Sequence, residues 1–441
     1  MNFENLQQTD PLCYQLMIDE MQRQEESLEL IPSECIASLS TIEALGSPLT
    51  NKYSEGYAGA RYYGGNEVID EVEQLAIERA KQAFPGVKHV NVQAYSGSPA
   101  NMAIYNGLCE AGDTILGLSL SQGGHLTHGH KVSATSKFFN AVQFGLNTDG
   151  YIDLEEVERL AHEHNPKVIV VGFTAYSREF PFEAFSKIAE SVGAYLMADI
   201  SHISGLVVSG AHTSPVPYVD VIMTTTHKTL GGPRGALIMT TEKGLKKDPE
   251  MAKKIDKSIF PGLQGGPHNH QTLAIAVALG EALTPEFREQ GHQIVKNAQA
   301  LGKYLEEYGF DLATGGTDNH LLLMSVGKGR GGFLQEALDM AGITLNKNTV
   351  PNDPGTAFNP SGVRMGTPIM TMRGMREAEM KQVAGWIYRV SEIITDFVYI
   401  DDKEARKERL KEFRAFIAEN QELKDIKEEV KNLCIQFPIY K

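Results

Sequence analysis

The sequence predicts an α/β architecture on a largely parallel sheet with both faces covered. Two observations carry this prediction. Short, continuously apolar runs recur between residues 114 and 223, and stretches of helical period separate them. Composition agrees: 22% charged and 42% hydrophobic residues are ordinary for a globular chain and exclude a largely disordered one.

The elements follow in order. Ser96-Gly97-Ser98 is a turn that runs into a helical stretch, Ala100 to Glu110, with Pro99 suited to its first position because its missing N–H costs nothing there. Thr114 to Leu118, Val168 to Val171, Ala194 to Ala198 and Val219 to Met223 read as buried strands. Leu154 to His164 and Phe185 to Val192 read as the helices between them. From Glu281 the character shifts to one long helical stretch reaching Gly309, then a strand over Leu321 to Val326 and a helix over Leu334 to Ala341. A domain boundary therefore falls near residue 280, in keeping with the two or three domains, at roughly 100–200 residues each, expected of 441 residues. Residues 401–431 hold 10 acidic and 9 basic residues, with an apolar stripe from Leu410 to Leu433. That pattern reads as a solvated amphipathic helix rather than a binding arm.

Charge and cysteine usage narrow the function. With 41 basic and 56 acidic residues the net charge is −15, which argues against nucleic acid as the main partner. No apolar run approaches the ~18 residues of a membrane span, and Met1 to Asn5 lacks the features of a signal or transit peptide. Cys13, Cys35, Cys109 and Cys434 are scattered, so neither a disulfide framework nor a metal site is expected. Reduced thiols and a cytoplasmic location are.

Three features carry chemistry. Ser96-Gly97-Ser98 opens a helix, offering free N–H groups and hydroxyls to an anion. The strand ending at Asp199, followed by His202, puts a carboxylate where open α/β sheets bind ligands. The strand before Thr225-Thr226-His227-Lys228-Thr229 leads into a glycine-rich turn that aims an amine at the same edge. Each feature alone also has a bland reading: a cap, a turn or a surface lysine. Together they match pyridoxal phosphate, whose aldehyde takes a lysine, whose ring nitrogen takes a carboxylate and whose phosphate takes a helix start.

With these residues in view, the chain resembles the serine hydroxymethyltransferase family over nearly its whole length. The resemblance rests on Leu30 to Glu34, Leu49 to Tyr57, Arg61 to Gly65, Gly123 to Gly129, Thr225 to Thr229, Phe260 to Pro267 and Gly362 to Pro368. It implies the aspartate-aminotransferase-like (fold type I) architecture, with a mostly parallel seven-stranded sheet in the large domain and a smaller α/β C-terminal domain. The expected division is an N-terminal arm at 1–24, a large cofactor domain at 25–280 and a small domain at 281–441.

The resemblance also implies roles. Lys228 would form the internal aldimine, Asp199 would pair with the ring nitrogen, and His125 would stack on the ring. Thr174 and His202 would lie near its phenolic oxygen. Ser96, Gly97, Ser98 and His227 would hold the phosphate, with Tyr53 and Gly262 reaching it from a second subunit. Arg364 would clamp the substrate carboxylate, assisted by Ser33, because its planar fork matches a carboxylate bidentately. Glu55 would move a proton, and Tyr62 and Tyr63 would shape its pocket. Tetrahydrofolate would lie against Leu120, Gly124 and Leu126, with Tyr62, Asn348, Thr356, Ala357 and Phe358 nearby. The expected reaction passes serine's hydroxymethyl carbon to tetrahydrofolate through an external aldimine and a quinonoid, in a homodimer or a tetramer with shared sites.

Some positions depart from the family's usual pattern: Cys35, Ala58-Gly59-Ala60, Val132 to Ser136, Ser201, Ser204 and Gly231. None is assigned to chemistry. The competing readings are a folate-independent β-hydroxy-amino-acid aldolase, an α-methylserine hydroxymethyltransferase, and a non-catalytic scaffold or RNA-binding protein on the same fold.

Overall fold

Seven strands form the central sheet of the computed structural model, which describes residues 3–440; residues 1 and 2 of the expected arm, and residue 441, lie outside the described residues. In chain order the strands are β1 (Val87–Asn91), β2 (Thr114–Leu118), β3 (Asn140–Phe144), β4 (Val168–Gly172), β5 (Tyr195–Asp199), β6 (Val221–Thr225) and β7 (Ala236–Thr241). They lie side by side as β1-β7-β6-β5-β4-β2-β3. From β3 to β6 every pairing is parallel, while β7 runs antiparallel to both β6 and β1. This is the mostly parallel sheet the apolar runs predict.

Alternate residues feed two cores, because successive side chains leave a strand on opposite faces. Ile169, Val171, Leu196, Ala198 and Ile222 join one hydrophobic cluster, which also takes in Ala76, Val157 and Phe185 from three helices. Val168, Val170, Met197, Val221 and Met223 join another, which includes Ala103 and Ile104 of the helix Gly97–Leu108. Burial on both faces explains why these strands read as unbroken apolar runs.

A four-stranded antiparallel sheet sits over a further core. Its order is Asp311–Leu312, Leu321–Ser325, Gly362–Gly366, Asn346–Asn348. Leu322, Met365, Trp386, Phe413 and Cys434 meet there, and Leu28 and Leu30 join them from the start of the chain. The two-residue strand Leu28–Glu29 pairs in parallel with Ile343–Thr344.

Local chemistry shifts several element boundaries. The long stretch from Glu281 is two helices, Asn269–Ala282 and Pro285–Glu307, because Thr284 caps the second with Pro285 at its first position. The charged tail is likewise two helices, Lys403–Glu419 and Gln421–Gln436, parted at Asn420, whose side chain accepts the Leu423 N–H at 3.0 Å. The helix expected from Ala100 begins at Gly97, so Pro99 stands third rather than first, still where no N–H partner is needed. Strands β5 and β6 run on to Asp199 and Thr225 because pairing continues through them, Asp199 opposite Gly172 and Thr225 opposite Ala236.

One buried charge ties the ends together. Arg373 is 1% exposed and donates to five carbonyls: Gln24, Glu25 and Ser27 at 2.8 to 3.2 Å, and Cys434 and Phe437 at 2.8 and 2.6 Å. These carbonyls lie at the C-terminal ends of the helices Pro11–Glu26 and Gln421–Gln436, where a cation is favoured.

Candidate active site

The carboxyl ends of β4, β5 and β6 open onto a cavity of about 310 Å³. Asp199 closes β5 and is buried there. Its Oδ2 accepts from Asn101 Nδ2 at 2.9 Å and faces His128 Nε2 at 3.1 Å, and its Oδ1 accepts the Ser201 N–H at 3.1 Å. His128 Nδ1 accepts the backbone N–H of His125 at 3.3 Å, which places its proton on Nε2, donating to the carboxylate. Burial opposes ionisation of Asp199, but the hydrogen bond from His128 and the fields of His128, His125 and Lys228 outweigh it and hold the carboxyl well below the usual range.

Lys228 follows β6 and shares the cavity. Burial pushes its amine down to about 8, against the upward pull of Asp199 and with the help of Arg364 and Arg234. Its Nζ donates to Thr225 Oγ1 at 3.2 Å. Ser96, Gly97 and Ser98 enter the cavity at the start of the helix Gly97–Leu108, and Ser96 makes no side-chain cap bond. The first N–H groups of that helix therefore remain available. A Cβ on Gly97 would stand 2.7 Å from Thr225 Cγ2, so only glycine lets the helix start approach β6 so closely.

Histidines line the remaining wall. His125 caps the short turn Leu126–His128 through Nδ1, and burial pushes it down to about 4. His227 is also pushed to about 4 by burial, and its buried Nδ1 has no hydrogen-bond partner among the described residues. His202 is buried, and it and Thr174 both line the cavity. Ser33 completes the predicted residues found here. Ligand-capable atoms of His125, His128 and Asp199 lie within 4.8 Å of one another, but each residue spends them on hydrogen bonds, so the trio fixes the carboxylate.

Arg364 does not line this cavity but meets its wall at Thr174, from the smaller sheet. Its Nε donates to Asn346 Oδ1 at 3.0 Å and its Nη1 to the Thr174 carbonyl. Burial pushes the guanidinium down to about 10. Thr174 also borders a second cavity of about 730 Å³, where Leu120, Asn348 and Ala357 gather. Thr356 and Phe358 flank Ala357, with Phe358 85% exposed, and Leu126 is exposed as well. Gly124 packs so tightly under this wall that a Cβ would collide with the Leu118 carbonyl.

Another predicted group stands apart. Tyr53, Glu55, Tyr62, Tyr63 and Gly262 do not line the Lys228 cavity. Tyr53 and Tyr63 meet edge to face at 5.7 Å, and Tyr62 meets Phe260 at 5.5 Å. A Cβ on Gly265 would lie 3.5 Å from Glu55 Oε1. Tyr53 and Tyr62 are 65% and 74% exposed, unusual for large aromatic rings.

Sequence reasoning missed the residues that hold the functional ones. His128 and Asn101 grip Asp199, Asn346 grips Arg364, and Arg234 lines the cavity. His128 was within reach, three residues after His125 in the same glycine-flanked run. Asn346 pairs with Arg364 only through strand register, which sequence does not display.

Comparison with known proteins adds the family. Residues 6–387 match the family model described as serine hydroxymethyltransferase. The chain is 56% identical over 386 residues to a serine hydroxymethyltransferase of Acidothermus cellulolyticus, covering 87% of this chain and 88% of that one. It is 49% identical over 433 residues to serine hydroxymethyltransferase 2 of Pseudomonas fluorescens, covering 98% and 97%. It is 48% identical over 433 residues to serine hydroxymethyltransferase 2 of Pseudomonas putida, again covering 98% and 97%.

Proposed function

The chain belongs to the serine hydroxymethyltransferase family, and from that premise we propose how its residues divide the work. The reaction is reversible transfer of serine's hydroxymethyl carbon to tetrahydrofolate, giving glycine and 5,10-methylenetetrahydrofolate, with pyridoxal 5′-phosphate as cofactor. The likenesses lend no support to the aldolase or α-methylserine readings.

The observation that carries the site is convergence: an amine, an ionised carboxylate and an uncapped helix start share one cavity. The fit to the cofactor is good. The unpartnered His227 Nδ1 and the free N–H groups at Ser96, Gly97 and Ser98 suit a phosphate. Asp199, kept ionised, suits a protonated ring nitrogen. When bound, the cofactor supplies a ring that stabilises negative charge at the substrate's α-carbon.

The protein's own groups do the rest. Lys228 would hold the cofactor through its amine, which burial lowers to about 8, so that it sheds its proton far more readily than an exposed lysine. His125 would cover the ring face, and Thr174 and His202 would face its phenolic oxygen. Arg364, braced by Asn346 and Thr174, would bind the substrate carboxylate with its remaining N–H groups, beside Ser33. Tetrahydrofolate would take the larger cavity against Leu120, Asn348 and Ala357, with Gly124, Leu126, Thr356 and Phe358, which do not line it, as its expected neighbours.

Glu55 would transfer a proton to or from the hydroxymethyl oxygen, with Tyr62 and Tyr63 shaping its surroundings. Its separation from Lys228 within one chain, and the exposed tyrosines around it, support a homodimer in which Tyr53, Glu55, Tyr63 and Gly262 complete the partner's site. We take 1–24 as the arm, 25–280 as the large domain and 281–441 as the small one. A cytoplasmic location fits a chain in which no described helix is long and apolar enough to cross a membrane.

Two experiments test this. Borohydride reduction of the holoenzyme, followed by peptide mass spectrometry, should find the cofactor fixed on Lys228; fixation on another lysine refutes the assignment. Mixing Lys228→Ala with Glu55→Gln protein should restore intact sites, up to about a quarter of the total, if subunits exchange at random and share sites. No recovery after verified exchange refutes the sharing.

A further inference from the structure

Two buried histidines meet behind the cavity. His202 Nδ1 lies 3.3 Å from His320 Nε2, and the rings are 5.5 Å apart between centroids. His320 is 0% exposed and opens the strand Leu321–Ser325 of the smaller sheet. It is held from both sides. Its carbonyl accepts the Thr367 N–H at 3.1 Å, and the residues before it are pinned to the loop after β4, with Thr317 Oγ1 on the Ser177 carbonyl at 3.0 Å and Asn319 Nδ2 on the Tyr176 carbonyl at 3.1 Å. His202 is anchored in turn: its carbonyl accepts from Thr229 Oγ1 at 3.0 Å, one residue past Lys228. Its Nε2 has no hydrogen bond among the described residues, and its side chain lines the cavity.

The proton between the two rings has a preferred side. Burial, with the nearby cations Lys228 and Arg364, keeps both imidazoles neutral, so each carries one N–H. His320 Nδ1 is buried and has no hydrogen-bond partner among the described residues. If His202 donated from Nδ1, His320 would carry its own hydrogen on Nδ1, a buried N–H with no acceptor. If His320 donates from Nε2, its Nδ1 is a bare lone pair. Orphaned buried N–H groups are the rarer and costlier of the two.

We propose that His320 is a positioning residue that locks His202 as the Nε2–H tautomer, so that His202 presents a fixed hydrogen-bond donor to the Lys228 cavity. Such a donor favours an anionic or phenolic oxygen and repels nothing by charge. The inference rests on the active-site reading above only for the identity of that oxygen. The tautomer itself is a property of the protein.

The test reads the tautomer directly. Full-length protein labelled with 15N-histidine is studied by solid-state NMR with and without bound cofactor, and His202→Asn assigns the His202 signals. The expected result is a protonated Nε2 and a bare Nδ1 on His202, in both forms. A protonated Nδ1, or a mixture, overturns the proposal, whatever the borohydride experiment says about Lys228. Substitution gives a second readout. His320→Gln keeps an amide N–H near the Nε2 position, whereas His320→Leu removes the donor. The pH at which the bound cofactor's visible band titrates should move by about one unit in His320→Leu and return to near the parent value in His320→Gln. Equal titrations in all three proteins overturn the proposal. If His320→Leu does not fold, the parent's NMR signals and the Gln variant still decide.

Discussion

Arg364→Lys separates a point charge from a planar fork. Arginine has five N–H donors, and here Nε is spent on Asn346 Oδ1 and one Nη1 hydrogen on the Thr174 carbonyl. Those two bonds fix the guanidinium plane, leaving three donors in a set direction for a carboxylate. Lysine keeps the charge but not the plane, and it cannot hold Asn346, Thr174 and a carboxylate in one geometry. Losing one charge-assisted hydrogen bond of a bidentate pair costs about 1.5–3 kcal/mol, or roughly a 10- to 150-fold weaker hold on serine and glycine. Misorientation of the substrate adds to this, since a shift of about 1 Å at a reacting centre costs on the order of 100-fold in rate. Steady-state kinetics with saturating tetrahydrofolate should therefore show KM for serine raised and kcat lowered together. Glycine binding, followed by calorimetry, should weaken by the same factor as KM. A variant with kcat/KM within about tenfold of the parent and unchanged glycine affinity would refute the clamp.

Other outcomes follow from buried charge. Lys228 loses its proton at about 8, so addition of pyridoxal phosphate to cofactor-free protein should quicken as pH rises to about 8 and level off above it; a rise continuing past 10 contradicts the burial argument. His125, His227 and His320 are held near 4, 4 and 3 by burial against an ordinary 6.5, so the unfolded chain takes up protons first. Their contribution to stability is complete above about 6.5 and drains away as pH falls toward about 4, which urea midpoints at pH 7 and pH 4.5 should show. Arg373→Met leaves the buried Ser27 carbonyl without its donor, at about 1–3 kcal/mol, and the Cys434 carbonyl with the Phe437 N–H alone. A urea-derived loss below about 1 kcal/mol would show that the Ser27 carbonyl finds another partner.

Much of this was legible in the residue string because the chemistry is local. An apolar strand followed by Asp199, a second followed by Lys228, and a serine-glycine turn before a helix are short words, and a parallel sheet delivers strand ends to one edge. What was hidden depends on register or on distance along the chain. Asn346 meets Arg364 because two antiparallel strands align. His320 meets His202 across 118 residues. The breaks at Thr284 and Asn420 lay inside stretches read as continuous helix, and the capping side chains, with Pro285 after the first, mark them. Glu55 was readable as acid/base material, but a single chain leaves it away from the amine it is expected to serve.

The Arg373 cage has a consequence for how the chain is made. Synthesis runs from the N-terminus, and domains generally fold as they emerge. The carbonyls of Gln24, Glu25 and Ser27 are made 349, 348 and 346 residues before Arg373, and Cys434 and Phe437 follow Arg373 by 61 and 64. The helix Pro11–Glu26 of a nascent chain therefore waits through all of that synthesis for the side chain that receives it, and that side chain is fully enclosed only once Phe437 has been added. The seven-stranded sheet, whose strands end at Thr241, can be assembled long before. Closing the cage is thus a step that follows assembly of the sheet rather than one that guides it.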